Sequence, residues 1–145
     1  DGWWSRGLGD VYKRQYDEFG EESTVIASLV KKGYHNDLLS VWGDGTPIRD
    51  FIHAEDVARG ILMSYENQIT EPINLGSGDG VRIKDIASIV ATHYGKEIEY
   101  DTTKPNGDNK RLMDMTRANS YGFYPEVDLE TGIKRVIKYY ESLQK

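Results

Sequence analysis

Apolar residues recur at helical spacing in four segments of the chain. These segments are residues 23–33, 53–67, 82–95 and about 129–143. Apolar positions three and four residues apart form one face of a helix, so each segment is predicted to be an amphipathic helix. In the first, Ser23 is the expected N-cap and Gly33 the expected end. In the second, the predicted apolar stripe contains Val57, Ile61, Leu62 and Tyr65.

Extended segments separate these helices. LLSVWGDGTPIRDFIH (residues 38–53) predicts two strands around the turn-forming residues 43–47. Residues 71–80 predict a short strand that runs into glycines, residues 97–100 a further strand, and residues 111–115 a last short strand after a polar loop. Strands that alternate with helices are typical of an α/β fold.

The charge and the absence of cysteine narrow the function. The 145-residue chain has a formal net charge of −6 and no cysteine. Nucleic acids and anionic membranes repel such a chain, so neither is an expected partner. No apolar run approaches the roughly 20 residues of a membrane span. A chain without thiols fits a cytoplasmic location. The three histidines are scattered, so no metal site is predicted.

The first fifteen residues differ from the rest. SRGLGDVYKRQ (residues 5–15) lacks both helical and strand periodicity and resembles a sequencing adapter translated in frame. A segment of foreign origin carries no information about the fold of the protein. Residues 1–15 are therefore expected to be a disordered leader that is not native to the protein, and residues 16–145 to form one unit.

Two short motifs are weak candidates for chemistry. NLGSGDG (residues 74–80) resembles a nucleotide-binding loop, but Val81 stands where the third glycine of that motif belongs, so a tight turn is the preferred interpretation. His53 and Asp56 have the spacing of a base and its orienting acid. Asp56 is equally suited to the first turn of a helix, where the dipole favours an acid.

Arg49 is the strongest candidate for ligand binding. It lies in an apolar segment and needs an anionic partner. One interpretation is an internal ion pair with Asp50 or Asp56, and the other is a bidentate contact with a phosphate. The polar segment DTTKPNGDNKRLMD (residues 101–114) adds Lys104, Lys110 and Arg111, which are either solvated surface or part of a cationic pocket for a diphosphate together with Arg49.

Three segments then resemble a known family. VWGDGTPIRDFIHAEDVARGI, INLGSGDGVRIKDIASIV and DTTKPNGDNKRLMDMTRA are similar to the C-terminal part of the extended short-chain dehydrogenases/reductases. These are NAD(P)-dependent sugar-nucleotide epimerases, dehydratases and reductases. The resemblance extends from Tyr16 almost to the C-terminus. It implies the last elements of an extended Rossmann-type α/β protein together with its small α/β substrate-binding domain.

The resemblance assigns roles to five positions. It implies that Lys32, Arg49 and Arg111 lie near the nucleotide diphosphate and that Trp42 lines the sugar-nucleotide pocket. A core position for Trp42 is the alternative. Asn106 replaces a more usual aspartate, so its implied sugar or ribose contact is an open question. No catalytic, cofactor-binding or metal-binding residue is assigned.

The resemblance also implies what the chain lacks. The chemistry of the family needs a glycine-rich dinucleotide fingerprint and a Ser/Thr with Tyr-x-x-x-Lys. Both are expected to lie outside this sequence, so the full-length parent would use NADP or NAD, whereas this fragment alone would bind neither and be inactive. The expected partner is a nucleotide-diphosphate sugar, and the expected parent is a homodimer. A stand-alone sugar-nucleotide-binding module without catalysis and a bare structural domain are the alternatives from other classes.

Overall fold

The computed structural model describes residues 24–145, which form five helices and five strands. The helices are α1 (Val25–His35), α2 (Ala54–Glu66), α3 (Ile83–Tyr94), α4 (Thr116–Ser120) and α5 (Leu129–Leu143). The strands are β1 (Leu38–Trp42), β2 (Ile48–Asp50), β3 (Gly80–Arg82), β4 (Glu97–Asp101) and β5 (Lys110–Arg111). The expected leader and the predicted Ser23 cap lie outside the described residues.

The strands form two small sheets. In the first, β1 pairs with β4 in parallel, from Leu38 opposite Glu97 to Trp42 opposite Asp101. In the second, β2 lies between β3, which is antiparallel to it, and β5, which is parallel to it. Helices and parallel strand pairs alternate along the chain, which confirms the predicted α/β class.

The main core lies where α1, α3 and α5 pack against β1. Its buried residues are Leu29, Val30, Leu39, Val41, Ile86, Ala87, Val90, Ala91, Ile133, Ile137 and Tyr140. Each large aliphatic side chain that is fully buried contributes roughly 1.5–3 kcal/mol relative to exposure. Successive strand residues face opposite sides, so burial of Leu39 and Val41 turns the last residue of β1, Trp42, outward.

Gly33 does not end the first helix. The helix α1 continues to His35, and its N-cap is Thr24. A Cβ atom at position 33 would lie 2.7 Å from Cδ2 of Tyr94 on α3. The glycine therefore permits close approach of α1 and α3 and is part of the helix interface.

The strands predicted at residues 71–80 and 111–115 differ from the observed ones for a shared reason. The first is irregular, with β3 starting only at Gly80, and the second is limited to its opening residue within β5. The Asp50 carboxylate accepts hydrogen bonds from the backbone N–H groups of Ser77, Gly78 and Met113. These donors are satisfied by a side chain and do not need a strand partner.

The predicted apolar stripe of α2 is largely exposed. Ile61 and Leu62 are about 60% exposed and Tyr65 is 84% exposed. The opposite side of α2 approaches a smaller core formed by Met115, Ala118 and Phe123, against which Met63 packs. Within residues 24–145, the main and the smaller core leave these three side chains uncovered.

The C-cap residue of α3 is Gly95. It ends α3 in the left-handed conformation at φ 64°, and a Cβ atom there would meet nothing within 4 Å. Gly95→Ala is expected to lower the free energy of unfolding by about 1 kcal/mol through backbone strain alone. Gly95→Asn should cost less, because asparagine tolerates this conformation. Urea denaturation of both variants measures the difference, and equal losses would contradict the explanation.

Candidate functional site

A cavity of about 420 Å³ opens between α1, the end of β1, β2 and the loop that follows β4. Four of the five residues predicted to bind ligand line it, namely Lys32, Trp42, Arg49 and Asn106. Its other lining residues are apolar, serine or proline, so the described lining contains two cations and no acid. This is notable in a chain of net charge −6.

Lys32 reaches the cavity from the last turn of α1. Its Nζ donates a hydrogen bond to the backbone oxygen of Ser40, at 3.0 Å. Burial lowers the pKa of Lys32, as it does for any ammonium group that is partly removed from water. A bound anion would offset this desolvation and favour the charged form.

Trp42 lies at the mouth of the cavity and is 64% exposed, which rules out the alternative of a core position. The Nζ atoms of Lys32 and Lys104 lie 5.8 and 5.7 Å from its ring centroid. These distances fall in the range of cation–π contacts. The indole therefore offers a flat apolar surface next to two ammonium groups.

Arg49, in the middle of β2, is held by main-chain oxygens. Its Nη1 donates to the backbone oxygens of Ile48 at 2.8 Å and Asp108 at 2.7 Å. No carboxylate among the described residues forms an ion pair with this guanidinium, so the alternative of an internal pair with Asp50 or Asp56 is not observed. The half-buried charge is fixed in direction and retains donors on Nε and Nη2.

Asp50 binds the glycine-rich loop instead. One carboxylate oxygen accepts from the backbone N–H of Ser77 at 2.7 Å and from its hydroxyl at 2.6 Å, while the other accepts from the N–H of Gly78 at 3.0 Å. Burial by itself would raise the pKa of Asp50, but these hydrogen bonds outweigh it and the pKa is lowered. The loop does bind an anion, and that anion is a side chain of the same protein.

Asp56 also has a structural partner set. It is 1% exposed and accepts hydrogen bonds from Nη2 of Arg59 and from the backbone N–H groups of Glu126 and Val127. His53 caps α2, with its Nδ1 3.2 Å from the N–H of Glu55. The two residues therefore do not form the base-and-acid pair that their spacing suggested.

Arg111 lies outside the cavity lining. It stands opposite Arg49 in the pairing of β2 with β5. Its guanidinium pairs with the carboxylate of Asp108, with Nε 2.6 Å from Oδ2. The structure thus places Arg111 beside the diphosphate candidate Arg49, with its charge already compensated.

The sequence does contain the Tyr-x-x-x-Lys spacing, at Tyr100 and Lys104, which corrects the expectation that it is absent. Tyr100 lies on β4, and Lys104 lies in the following loop. On a helix, residues four apart share a face, but this strand-to-loop segment lacks that geometry. No hydrogen bond joins the Tyr100 hydroxyl to the Lys104 amine in the described structure, whereas Lys104 lies over Trp42.

Residues 24–145 contain neither a metal-binding cluster nor a membrane-spanning helix. No group of three or more His, Cys, Asp or Glu side chains converges there in a way that could hold a metal ion. No helix in that range combines the length and the apolar composition that a membrane crossing requires.

Comparison with known proteins gives consistent matches. The NAD dependent epimerase/dehydratase family model matches residues 10–76, a range that begins inside the expected leader. GDP-L-fucose synthase from Sinorhizobium fredii is 37% identical over 135 residues, covering 87% of this chain and 42% of the relative. GDP-L-colitose synthase from Yersinia pseudotuberculosis is 31% identical over 136 residues, covering 87% of this chain and 44% of the relative.

The solved structure of UDP-glucuronic acid 4-epimerase from Bacillus cereus, in complex with UDP-glucuronic acid and NAD, superposes with a TM-score of 0.72. It is 27% identical and covers 83% of this chain and 40% of that structure. The fold and these matches make the chain similar to Rossmann-like α/β epimerases. Part of the chain matches the NAD dependent epimerase/dehydratase family model, and GDP-L-fucose synthases are among the proteins it is similar to. It spans about two fifths of the length of the curated relatives it matches.

Proposed function

We propose that this chain is the sugar-nucleotide-binding part of an NAD(P)-dependent sugar-nucleotide-modifying enzyme, with GDP-L-fucose synthase as the preferred candidate. The observation that carries the proposal is the cavity at the end of β1, where Arg49 has no carboxylate partner among the described residues. A diphosphate would supply that partner and make charge-assisted hydrogen bonds with the guanidinium.

The other lining residues suit the remaining parts of such a ligand. The Lys32 ammonium lies near the same opening and adds a second positive charge. The exposed face of Trp42 suits a ring, because aromatic side chains combine a large apolar area with few rotatable bonds. We therefore propose that Lys32, Trp42, Arg49, Asn106 and Arg111 form or support the ligand site.

On the proposed function, this chain binds the sugar nucleotide and the rest of a longer parent supplies the cofactor site and the catalytic residues. The sequence has no G-x-x-G-x-x-G fingerprint, which forms the pyrophosphate-binding turn in Rossmann domains. We propose that NADP or NAD binds elsewhere in a homodimeric, cytoplasmic parent. On this proposal the present chain catalyses no epimerisation or reduction alone.

A UDP-hexose 4-epimerase or a nucleotide-sugar dehydratase is the second candidate. The similarity in fold to a UDP-glucuronic acid 4-epimerase favours it. The lining residues would contact the diphosphate that GDP-sugars and UDP-sugars share, so only the base and the sugar distinguish these two candidates. A stand-alone binding module would have the same cavity, but its gene would not encode the glycine-rich fingerprint and the catalytic residues of the family.

Calorimetric titration of the purified chain tests the proposal. GDP and UDP are expected to bind, and guanosine and uridine to bind at least tenfold more weakly, because the diphosphate supplies most of the contacts. Tighter binding of GDP than of UDP would support the GDP-L-fucose synthase candidate, and the reverse order would support the second. Equal affinity for nucleosides and nucleoside diphosphates would contradict a diphosphate site at Arg49.

A further inference from the structure

The loop from residue 102 to residue 109, termed the rim loop, is attached to the cavity at three points. Lys104 lies over the Trp42 ring. The side-chain oxygen Oδ1 of Asn106 accepts a hydrogen bond from the backbone N–H of Asp44, at 2.8 Å. The backbone oxygen of Asp108 accepts from Arg49. The first and last of these contacts involve residues that a ligand would touch, whereas the middle one joins two loops of the protein.

The middle contact depends on the glycine beside it. Gly43 has φ 74°, and a Cβ atom built there would lie 1.9 Å from Oδ1 of Asn106. No side chain fits that space while the Asn106 amide is in place. Positions 43 and 106 are therefore complementary, although they are far apart in sequence.

We propose that Asn106 is a positioning residue that fixes the rim loop against the turn between β1 and β2. Resting on the proposed function, this role means that Asn106 shapes the diphosphate cavity through the Asp44 N–H group. The fixed rim loop in turn holds the Asp108 carbonyl against Arg49 and Lys104 against Trp42. The Arg49 guanidinium and the Lys104 ammonium are then oriented before a ligand arrives, which lowers the entropy cost of binding.

The amide is better suited to this role than a carboxylate. The Asp44 side chain is bonded to Thr46, with Oδ1 2.9 Å from the Thr46 N–H, and its pKa is lowered by hydrogen bonds from the Thr46 hydroxyl and N–H. It is therefore an anion at neutral pH. An aspartate at position 106 would add a second negative charge beside it, whereas the neutral Asn106 oxygen accepts without charge.

Hydrogen exchange of the Asp44 amide, followed by NMR, measures this contact directly. Asn106→Ala is expected to accelerate exchange at Asp44 by about five- to tenfold, the effect of losing one exposed hydrogen bond. Asn109→Ala is the matched control, because the Asn109 side chain makes no hydrogen bond in the described structure. It should change the rate less than twofold. Unchanged exchange at Asp44 in Asn106→Ala would overturn the proposal.

A double-variant comparison separates the contact from general damage to the loop. Gly43→Ala should also accelerate Asp44 exchange, because its Cβ displaces the Asn106 amide. Adding Asn106→Ala to Gly43→Ala should then change the rate less than twofold further, since the contact is already lost. Independent, multiplied effects of the two substitutions would contradict the complementarity of positions 43 and 106.

Titration with GDP completes the test. Asn106→Ala should weaken GDP binding by about tenfold, whereas Asn106→Asp keeps an acceptor oxygen for the Asp44 N–H and should keep slow exchange there. Faster exchange with unaltered GDP affinity would overturn the positioning role. If the unaltered chain does not bind GDP, the proposed function fails, and the exchange rates alone still decide whether Asn106 fixes the rim loop.

Discussion

Replacing Arg49 with alanine is expected to weaken the binding of a nucleoside diphosphate by about 30- to 1,000-fold, equivalent to roughly 2–4 kcal/mol. The guanidinium is half-buried, is held in direction by the Ile48 and Asp108 carbonyls, and has no carboxylate partner in the described chain. Its removal leaves a phosphate charge without a charge-assisted donor. Thermal stability should fall modestly, because the hydrogen bonds to the Ile48 and Asp108 carbonyls are lost but no ion pair is broken.

Two further variants make this expectation specific. Arg49→Lys keeps the charge but loses the planar donor arrangement, so its affinity should fall between those of the unaltered chain and Arg49→Ala. Arg135→Ala is the control, since Arg135 lies on α5 and pairs with Glu55 away from the cavity. Calorimetry with GDP and a thermal melt are needed for each. A lowered melting temperature with unchanged GDP affinity would show that Arg49 is structural.

Replacing Asp56 with alanine is expected to lower the free energy of unfolding by about 3–4 kcal/mol, the largest stability effect predicted for this chain. The carboxylate is almost completely buried and joins the start of α2 to the segment before α5 through the Glu126 and Val127 N–H groups. Its removal leaves these two donors without their acceptor and takes one of its partners from Arg59, which still pairs with Glu126. Urea denaturation at pH 7 measures the loss.

The same carboxylate gives the stability a defined pH dependence. Burial would raise the pKa of Asp56, but hydrogen bonds from Arg59, Glu126 and Val127 dominate and lower it. A lowered folded-state pKa means that the stabilisation is complete above the unfolded value of about 3.9 and is lost as the pH falls through the folded-state pKa. Asp56→Asn should therefore have a flatter stability profile below about pH 5. The exposed Asp37 provides the control, and a flatter profile in Asp37→Ala of equal size would contradict this assignment.

Much of the secondary structure could be predicted from local pattern. The helices α3 and α5 bury the apolar faces that their 3.6-residue spacing indicates, and Val41 alternates with the outward Trp42 as a half-buried strand requires. These features depend on residues close in sequence, so a single chain contains the information. The cavity positions of Lys32, Trp42, Arg49 and Asn106 came from resemblance, because spacing alone does not bring four separate segments together.

The remaining features depend on contacts between distant residues. The use of the Asp50 carboxylate to bind the Ser77 loop is a contact over 27 positions, and it replaced a predicted strand. The four-residue spacing of Tyr100 and Lys104 would place both side chains on one face only if the segment were a helix. The apolar stripe of α2 that contains Ile61 does have amphipathic spacing. Spacing alone does not indicate whether the same chain also contains a surface that covers the stripe.

The pairing of β1 with β4 has a consequence for how the chain folds. Each residue of β1 meets a partner roughly sixty positions later, and α2, β2, β3 and α3 all lie in between. Closing so long a loop costs conformational entropy before any pairing compensates for it, which makes this contact a late one in folding. Among the described residues, β1 gains its strand partner only when residues 97–101 have been synthesised. Because Trp42 ends β1 and the rim loop begins where β4 ends, the cavity is assembled together with a non-local strand pairing.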